Sequence, residues 1–211
     1  MINAYNKDYL ANAMENLAEA MDYSVNCQNI PLNQFMTLFI NSRIADFFQE
    51  GNPKFLNLPG IEIVLEVLYR SGIKIHTNKT YAEYDKTSSY WTGWILAYYQ
   101  WKSGRTFEYI QRFLPAEEIC RMYNPLHEAP EQKFTEIADK IIAERDTRSK
   151  LQIIRKLSGF TQKELSEKSG VNIRTIQQYE NKSKDIAKAS GKNLLSLAKT
   201  LDCTIEELIQ G

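Results

Sequence analysis

The sequence predicts an all-α protein, with a helical domain over residues 1–143 followed by a smaller helical domain over residues 144–211. Apolar residues recur at intervals of three and four through most of the chain, which is the period of an amphipathic helix. Pro, Gly and Asn interrupt these patterns at short intervals, as expected for the turns of a compact helical bundle. Near the C-terminus, two short helices joined by a tight turn can be recognised from their boundary residues alone.

The N-terminal helices follow from apolar stripes and from the residues that begin and end them. The stripe over residues 8–27 consists of Leu10, Met14, Leu17 and Met21. Pro31 suits the first turn of a second helix, which is predicted to run until residues 51–53 stop it. Further helices are predicted over residues 61–69, 87–102, 106–113, 115–123 and 130–144, each beginning at or next to Pro, Gly or Thr. Residues 73–75 alternate in polarity, which indicates a short extended segment.

Aromatic residues are dense between Tyr81 and Tyr109. Large side chains share one broad face of the predicted 87–102 helix: Tyr90, Trp91, Trp94, Ile95, Tyr98 and Trp101. Such a face suits a recognition surface, because Trp and Tyr are enriched at interface hot spots, but it suits the core of a small domain better. Tyr99 lies off this face and is the predicted interface residue.

The stretch from residue 161 to residue 181 predicts two helices and the turn between them. Thr161 and Glu164 have the spacing of a capping box at the start of the first helix. Gly170 can adopt the left-handed conformation that a sharp turn requires. Asn172 then caps a second helix with apolar residues at Ile173, Ile176 and Tyr179.

The second of these helices, over residues 172–181, has the features of a recognition helix. Its remaining positions are polar: Arg174, Thr175, Gln177 and Gln178. In a helix-turn-helix the second helix enters the major groove and places such side chains against base edges. The layout therefore predicts that this part of the chain binds double-stranded DNA.

Residues 150–209 resemble the Cro/C1-type (XRE) repressor family. The matching positions are Leu151, Ile154, Arg155, residues 159–162, Gly170, Val171, Thr175, Ile176, residues 179–181, residues 194–198 and residues 201–208. The resemblance implies a five-helix, lambda-repressor-like DNA-binding domain. It also implies a structural ion pair between Arg155 and Glu180. The connection over residues 182–191 is longer than in the smallest family members, so the fourth helix can begin near Asp185, Ser190 or Gly191.

The predicted DNA-binding residues lie on and around the recognition helix. They are Gln162, Asn172, Ile173, Arg174, Thr175, Gln177, Gln178, Lys182, Lys184 and Lys188. Arg174 suits a bidentate contact to guanine, and Gln177 or Gln178 one to adenine. Ile173 suits either a thymine methyl group or the domain core. Gln162 and the three lysines are expected at phosphates, which position the protein without reading sequence.

Charge is distributed unevenly although the total is zero. Residues 1–143 carry 13 Lys and Arg against 17 Asp and Glu, whereas residues 144–211 carry 13 against 9. The N-terminal domain is therefore acidic by four charges and the C-terminal domain basic by four. A basic C-terminal domain agrees with the electrostatic capture of phosphates, although an excess of four charges is small.

Several function classes find no support in the sequence. His76 and His127 are the only histidines, and neither pairs with another residue at metal-ligand spacing. Phosphate-binding glycine loops and nucleophile elbows are absent, so the sequence predicts neither an enzyme, nor a metal, nor a cofactor. Cys27, Cys120 and Cys203 are too few and too distant for a disulfide framework. The longest apolar run, residues 94–99, is far shorter than a membrane span of about 20 residues. A secretory signal is not evident either, and we expect a cytoplasmic protein.

Three functions compete at this stage. The first is a transcriptional regulator, acting as a repressor and as a homodimer on an inverted repeat. The second is an antitoxin whose N-terminal domain binds a protein partner, because residues 32–68 faintly resemble helical domains of toxin–antitoxin-like cassettes. The third is a sensor whose aromatic N-terminal helices enclose a small molecule. Residues 144–211 show no spare apolar face, so the dimer or partner contact is expected in residues 1–143.

Overall fold

A computed structural model describes residues 3–75 and 87–209. The chain forms two compact units, Met1–Arg145 and Asp146–Gly211, whereas the sequence placed the boundary two residues earlier. The described residues form α-helices and 3-10 helices and contain no strand, so the predicted all-α class is confirmed. Tyr81 and His76, which the sequence analysis singled out, lie outside the described residues.

The N-terminal unit is built from helices of unequal length. They are α1 (Leu10–Asn26), α2 (Leu32–Asn41), α3 (Ile44–Gln49), α4 (Pro53–Leu56), α5 (Gly60–Arg70), α6 (Ser88–Ser103), α7 (Phe107–Phe113), α8 (Ala116–Arg121), α9 (Tyr123–Leu126) and α10 (Glu131–Arg145). The prediction of a single helix from Pro31 to residues 51–53 is wrong, because Arg43 adopts a left-handed conformation (φ 66°) that separates α2 from α3. Residues 73–75 have no regular structure, and the amide of Ile73 donates to the Leu68 carbonyl at the end of α5.

Close packing of α1 against α6 and α5 forms the centre of this unit. Gly93 of α6 faces the backbone of α1, and a Cβ at this position would lie 2.6 Å from the Ala18 Cα and closer still to the Leu17 carbonyl oxygen. Thr87 links the same two helices at the start of α6. Its hydroxyl accepts from the amides of Ser89 and Tyr90 and donates to the Asp22 carboxylate of α1.

The aromatic face of α6 divides into a buried and a half-buried part. Tyr98 and Trp101 are no more than 8% exposed, whereas Tyr90, Trp91 and Trp94 are half-buried. The prediction that Tyr99 is an interface residue is wrong, because its side chain is completely buried.

The hydroxyl group of Tyr99 is hydrogen-bonded to a carboxylate and to a guanidinium group inside the unit. Its hydroxyl donates to Asp139 Oδ1 at 2.7 Å and accepts from the guanidinium of Arg105. Arg105 also contacts Asp139 at 2.6 Å. Burial, with Asp139 acting in the same direction, raises the pKa of Tyr99 well above its ordinary range, so this side chain stays a neutral phenol.

The C-terminal unit contains the five α-helices that the resemblance implied. They are α11 (Lys150–Leu157), α12 (Gln162–Ser169), α13 (Ile173–Glu180), α14 (Gly191–Leu201) and α15 (Ile205–Ile209). Their core consists of Leu151, Leu165, Val171, Ile176, Tyr179, Leu197, Ala198, Leu201 and Leu208. Ser190 caps α14 by accepting from the Asn193 amide, while Asp185 caps a separate 3-10 helix, Ile186–Lys188.

A few large apolar side chains of this unit are exposed at its surface. Leu157 is 82% exposed, Leu195 is 47% exposed and Ile209 is 38% exposed. These are exposures of single side chains, so the expectation that residues 144–211 show no spare apolar face stays a prediction.

We expect Gly93→Ala to destabilise the N-terminal unit by about 1–3 kcal/mol, since the new methyl group overlaps the α1 backbone. Calorimetric unfolding of the full chain measures the change. Gly191→Ala is the matched control, because nothing lies within 4 Å of a Cβ at that position. Equal effects of the two substitutions would show that α1 and α6 are not in the close contact described.

Candidate nucleic-acid interface

The first helix of the motif begins with a complete capping box. The amide of Thr161 donates to Glu164 Oε2 at 2.7 Å, and the Glu164 amide donates to the Thr161 hydroxyl at 3.2 Å. These reciprocal bonds satisfy helix-start donors that would otherwise depend on water. They also lower the pKa of Glu164, so the box is formed by the ionised carboxylate. The capping box fixes the position at which α12 begins.

The turn between α12 and α13 is fixed by backbone conformation and by hydroxyl groups. Gly170 has φ 69°, and its amide donates to the Ser166 carbonyl at 2.9 Å. Ser169 accepts from the amide of Val171 at 3.2 Å and donates to the Leu165 carbonyl at 2.6 Å. Val171 itself is buried, which ties the turn to the core of the unit.

Helix α13 has one buried side and one exposed side. Ile176 and Tyr179 are buried in the core, whereas Arg174, Gln177 and Gln178 are exposed. Ile173 is 36% exposed, so part of its side chain packs on the domain and part remains open for a thymine methyl group. Thr175 is half-buried. The Asn172 side chain accepts from the Arg174 amide at 2.9 Å, so this residue caps the helix.

A buried ion pair holds the C-terminal end of α13 to α11. Arg155 Nε lies 2.6 Å from Glu180 Oε1, and Arg155 Nη2 lies 2.9 Å from Glu180 Oε2. The same guanidinium donates to the Phe160 carbonyl at 2.6 Å. Both side chains are less than 10% exposed. Their charges are therefore compensated within the protein rather than by water.

Gln162, the first residue of α12, binds the same Glu180 carboxylate. Its Nε2 donates to Glu180 Oε2 at 2.8 Å, and its Oε1 lies 3.5 Å from Gln177 Nε2. Three helices are thus linked through the carboxylate of Glu180. The structure thus brings together Gln162 and Gln177, two of the predicted DNA-binding residues.

An open groove of about 630 Å³ runs beside these residues. It is lined by Thr147, Arg148, Gln152, Gln162, Gln177, Glu180, Asn181 and Lys182. Arg148 was not among the predicted site residues, and its Nη2 lies 2.7 Å from Asp146 Oδ2. In the sequence, Arg148 belongs to the short charged segment 144–148 before α11, which connects the two predicted domains. The only signal for it in the sequence was the basic charge of this domain.

The three predicted phosphate-binding lysines follow α13 and are all exposed. Lys182 adopts a left-handed conformation (φ 59°) and lines the groove. Lys184 Nζ lies 5.8 Å from the ring centre of Tyr179, and Lys188 Nζ lies 3.9 Å from Asp185 Oδ2. Lys182 is thus part of the groove lining, whereas the charge of Lys188 is partly compensated by Asp185.

The exposed groups of this surface are amide and guanidinium hydrogen-bond donors. Within residues 3–75 and 87–209, no three His, Cys, Asp or Glu side chains gather where they could hold a metal ion. In the same part of the chain, no helix has the length and apolarity to cross a bilayer. The exposed side chains of α13 can instead form hydrogen bonds with the edges of bases.

Comparison with known proteins supports the assignment of the C-terminal unit. A family model described as helix-turn-helix matches residues 151–208. The C-terminal third is thus a helix-turn-helix domain of the Cro/C1 type, and this domain supports a DNA-binding regulator of the XRE type. No curated protein and no solved structure gave a significant match to the chain.

We expect Arg155→Met to destabilise the C-terminal unit by about 3–5 kcal/mol, because it leaves the buried Glu180 carboxylate without its cation. Replacing both partners with Met should restore most of this loss. Denaturant unfolding followed by circular dichroism provides the measurement.

The matched control is Lys163→Met, which removes the exposed partner of Glu167 at 3.9 Å. This pair should contribute less than about 1 kcal/mol. If Arg155→Met costs no more than the control, the ion pair does not hold α13 in place.

Proposed function

We propose that this protein is a sequence-specific transcriptional repressor that inserts α13 into the major groove of double-stranded DNA. The observation that carries the proposal is the division of α13 into a buried side and an exposed polar side. Ile176 and Tyr179 anchor the helix, and the Arg155–Glu180 pair fixes its far end. The exposed side chains are thereby presented on a rigid support, which base recognition requires.

The exposed residues of α13 have distinct roles in this proposal. Arg174 donates two hydrogen bonds to guanine, and Gln177 or Gln178 forms the donor–acceptor pair that adenine offers. Ile173 contacts a thymine methyl group with its exposed part. Thr175, which is half-buried, contributes at the edge of the same surface.

Phosphate contacts surround these base contacts. Lys182, Lys184 and Lys188 follow the recognition helix, and Gln162 lies at the N-terminus of α12, where backbone amides favour an anion. The Asn172 side chain is occupied as a helix cap, so we assign it to positioning the helix on DNA rather than to reading bases.

The repressor is further proposed to act as a cytoplasmic homodimer. A single small domain makes few phosphate contacts, whereas a symmetric pair doubles them and reads two half-sites about one helical turn apart. We place the main assembly surface in the N-terminal unit. Repression follows from occupation of a promoter by such a dimer, without any catalytic step.

We expect Arg174→Ala and Gln177→Ala, made separately, to relax base preference at one position each and to weaken binding to the preferred site by about 1–3 kcal/mol. Selection of bound sequences from a random pool measures the preference. Lys199→Ala, exposed on α14, is the control and should leave the selected motif unchanged. An unaltered motif for both variants would remove these residues from the set of base readers.

Replacement of Lys182, Lys184 or Lys188 by Ala should weaken binding to all sequences equally. Each change should reduce the slope of log affinity against log salt by about one unit, because one fewer counterion is released. Titrations of specific and random duplexes at several salt concentrations test this. Should the slope remain constant for all three variants, these lysines are merely solvated.

An exposed apolar patch on the N-terminal unit favours a second function, that of an antitoxin. Tyr69 is 80% exposed and borders a cavity of about 370 Å³ that also contains Phe55, Leu65 and Ile75. Phe47 is 37% exposed and stacks on Phe55 with ring centres 4.9 Å apart. In this alternative the patch binds a protein partner, and the C-terminal unit regulates the shared operon.

Sedimentation and DNA titration of the full chain and of fragment 144–211 distinguish these arrangements. The fragment has its own core and should fold, but it should remain monomeric and bind the selected site more weakly. A fragment that dimerises and binds as tightly as the full chain would contradict an assembly role for the N-terminal unit. Purification of the full chain from its native cells with one stoichiometric foreign protein would favour the antitoxin.

A further inference from the structure

The groove beside α13 is lined by a third glutamine, Gln152 of α11, in addition to Gln162 and Gln177. Gln152 lies one turn before Arg155 on the same side of α11, because residues three apart are neighbours on a helix. Arg155 binds Glu180 at the end of α13, so Gln152 lies toward the same end of the recognition helix. The groove thus brings together amide side chains from three helices.

The backbone of Gln152 is fixed at the start of α11. Ser149, which is only 7% exposed, caps the helix and accepts from the backbone amide of Gln152 at 3.1 Å. Leu151, the preceding residue, is buried in the core of the C-terminal unit. The Gln152 side chain is half-buried and keeps part of its surface open to solvent. A rigid support therefore carries an amide group that can contact a ligand in the groove.

The other two glutamine amides are engaged with groups of the protein. Gln162 Nε2 donates to Glu180 Oε2 at 2.8 Å, and Gln162 Oε1 lies 3.5 Å from Gln177 Nε2. Among the described residues, by contrast, none is hydrogen-bonded to the side-chain amide of Gln152. A primary amide has two donor hydrogens and one acceptor oxygen. Gln152 can therefore offer both hydrogens to a ligand without breaking a bond inside the unit.

The groove can accept an anion although Glu180 belongs to its lining. The two Glu180 oxygens accept from Arg155 Nε and Nη2 and from Gln162 Nε2, and the Glu180 side chain is only 3% exposed. The charge of this carboxylate is therefore compensated inside the protein. Lys182, which is exposed, provides a cation on the same groove. Amide donors and lysine cations are the groups with which proteins hold DNA phosphates.

We propose that the Gln152 side chain binds a DNA phosphate, which extends the DNA-contacting surface from the recognition helix to the start of α11. The inference rests on the proposed function, since the same duplex is the ligand. Gln152 Nε2 donates to a phosphate oxygen, while α12 contributes its first backbone amides because the side-chain amide of Gln162 is engaged with Glu180. The contact positions the protein on the duplex and reads no base.

Two charged substitutions in the full chain test this contact in opposite directions. Gln152→Lys should strengthen binding to a selected duplex and to a random duplex alike. It should also steepen the slope of log affinity against log salt by about one unit, because one more counterion is released. Gln152→Glu should weaken binding to both duplexes at least about tenfold, because it places a carboxylate against a phosphate. Ser158→Lys, exposed at the opposite end of α11, is the matched control and should leave the slope unchanged. An equal steepening in both lysine variants would show a long-range charge effect and overturn the contact.

Gln152→Met removes the amide without adding a charge. Binding to selected and random duplexes should weaken by the same factor of about three to ten, which is the net contribution of one hydrogen bond. Unchanged melting temperatures show that the variants are folded, and if one does not fold, the other two decide the matter. Unchanged affinity of Gln152→Met, while the wild-type protein selects a sequence motif, would overturn this contact and leave the proposed function standing. An altered base preference at one position would overturn the assignment to phosphate. A wild-type protein that binds no duplex would overturn the proposed function together with the contact.

Discussion

The organisation of the C-terminal unit depends on the buried ion pair between Arg155 and Glu180. Glu180 is the last residue of α13, and its carboxylate accepts from α11 through Arg155 and from α12 through Gln162. An apolar core alone would leave the short helix α13 free to slide or rotate by small amounts. The directional bonds to the carboxylate remove this freedom at one end, and the Asn172 cap removes it at the other. The proposed DNA-reading surface is consequently set by groups that do not themselves need to contact a base.

Close helix contact has a comparable role in the N-terminal unit. Gly93 allows α6 to approach the backbone of α1, and Gly60 allows the first residue of α5 to lie against the same helix. The amide of Gly60 donates to the Glu19 carboxylate at 2.6 Å, so this contact also satisfies a donor at the start of α5. Large aromatic side chains then fill the space between the remaining helices, as in the edge-to-face contact of Phe39 with Phe107 at 5.4 Å.

Sequence reasoning succeeded where local signals determine structure. The capping box at Thr161, the left-handed Gly170 and the Asn172 cap each act within a few residues, and their order defined the helix-turn-helix before any tertiary information was used. It failed where burial depends on neighbours distant in the chain. Tyr99 lay off the aromatic stripe, yet α6 is covered on more than one side, so a residue off the stripe is buried as well. Arg148 was likewise missed, since the groove that it lines is formed by residues from separate helices.

The link from Glu180 to Gln162 also imposes a direction on the surface amides. Gln162 must turn its NH₂ group toward the carboxylate, so its carbonyl oxygen faces Gln177, whose own NH₂ group lies 3.5 Å away. One hydrogen of Gln177 is directed inward by this chain, and the second hydrogen and the carbonyl oxygen remain for a base. Adenine presents one acceptor and one donor in a fixed order across the major groove. In the proposed complex, the buried Glu180 carboxylate would thus set, through Gln162, which way round Gln177 reads an adenine–thymine pair.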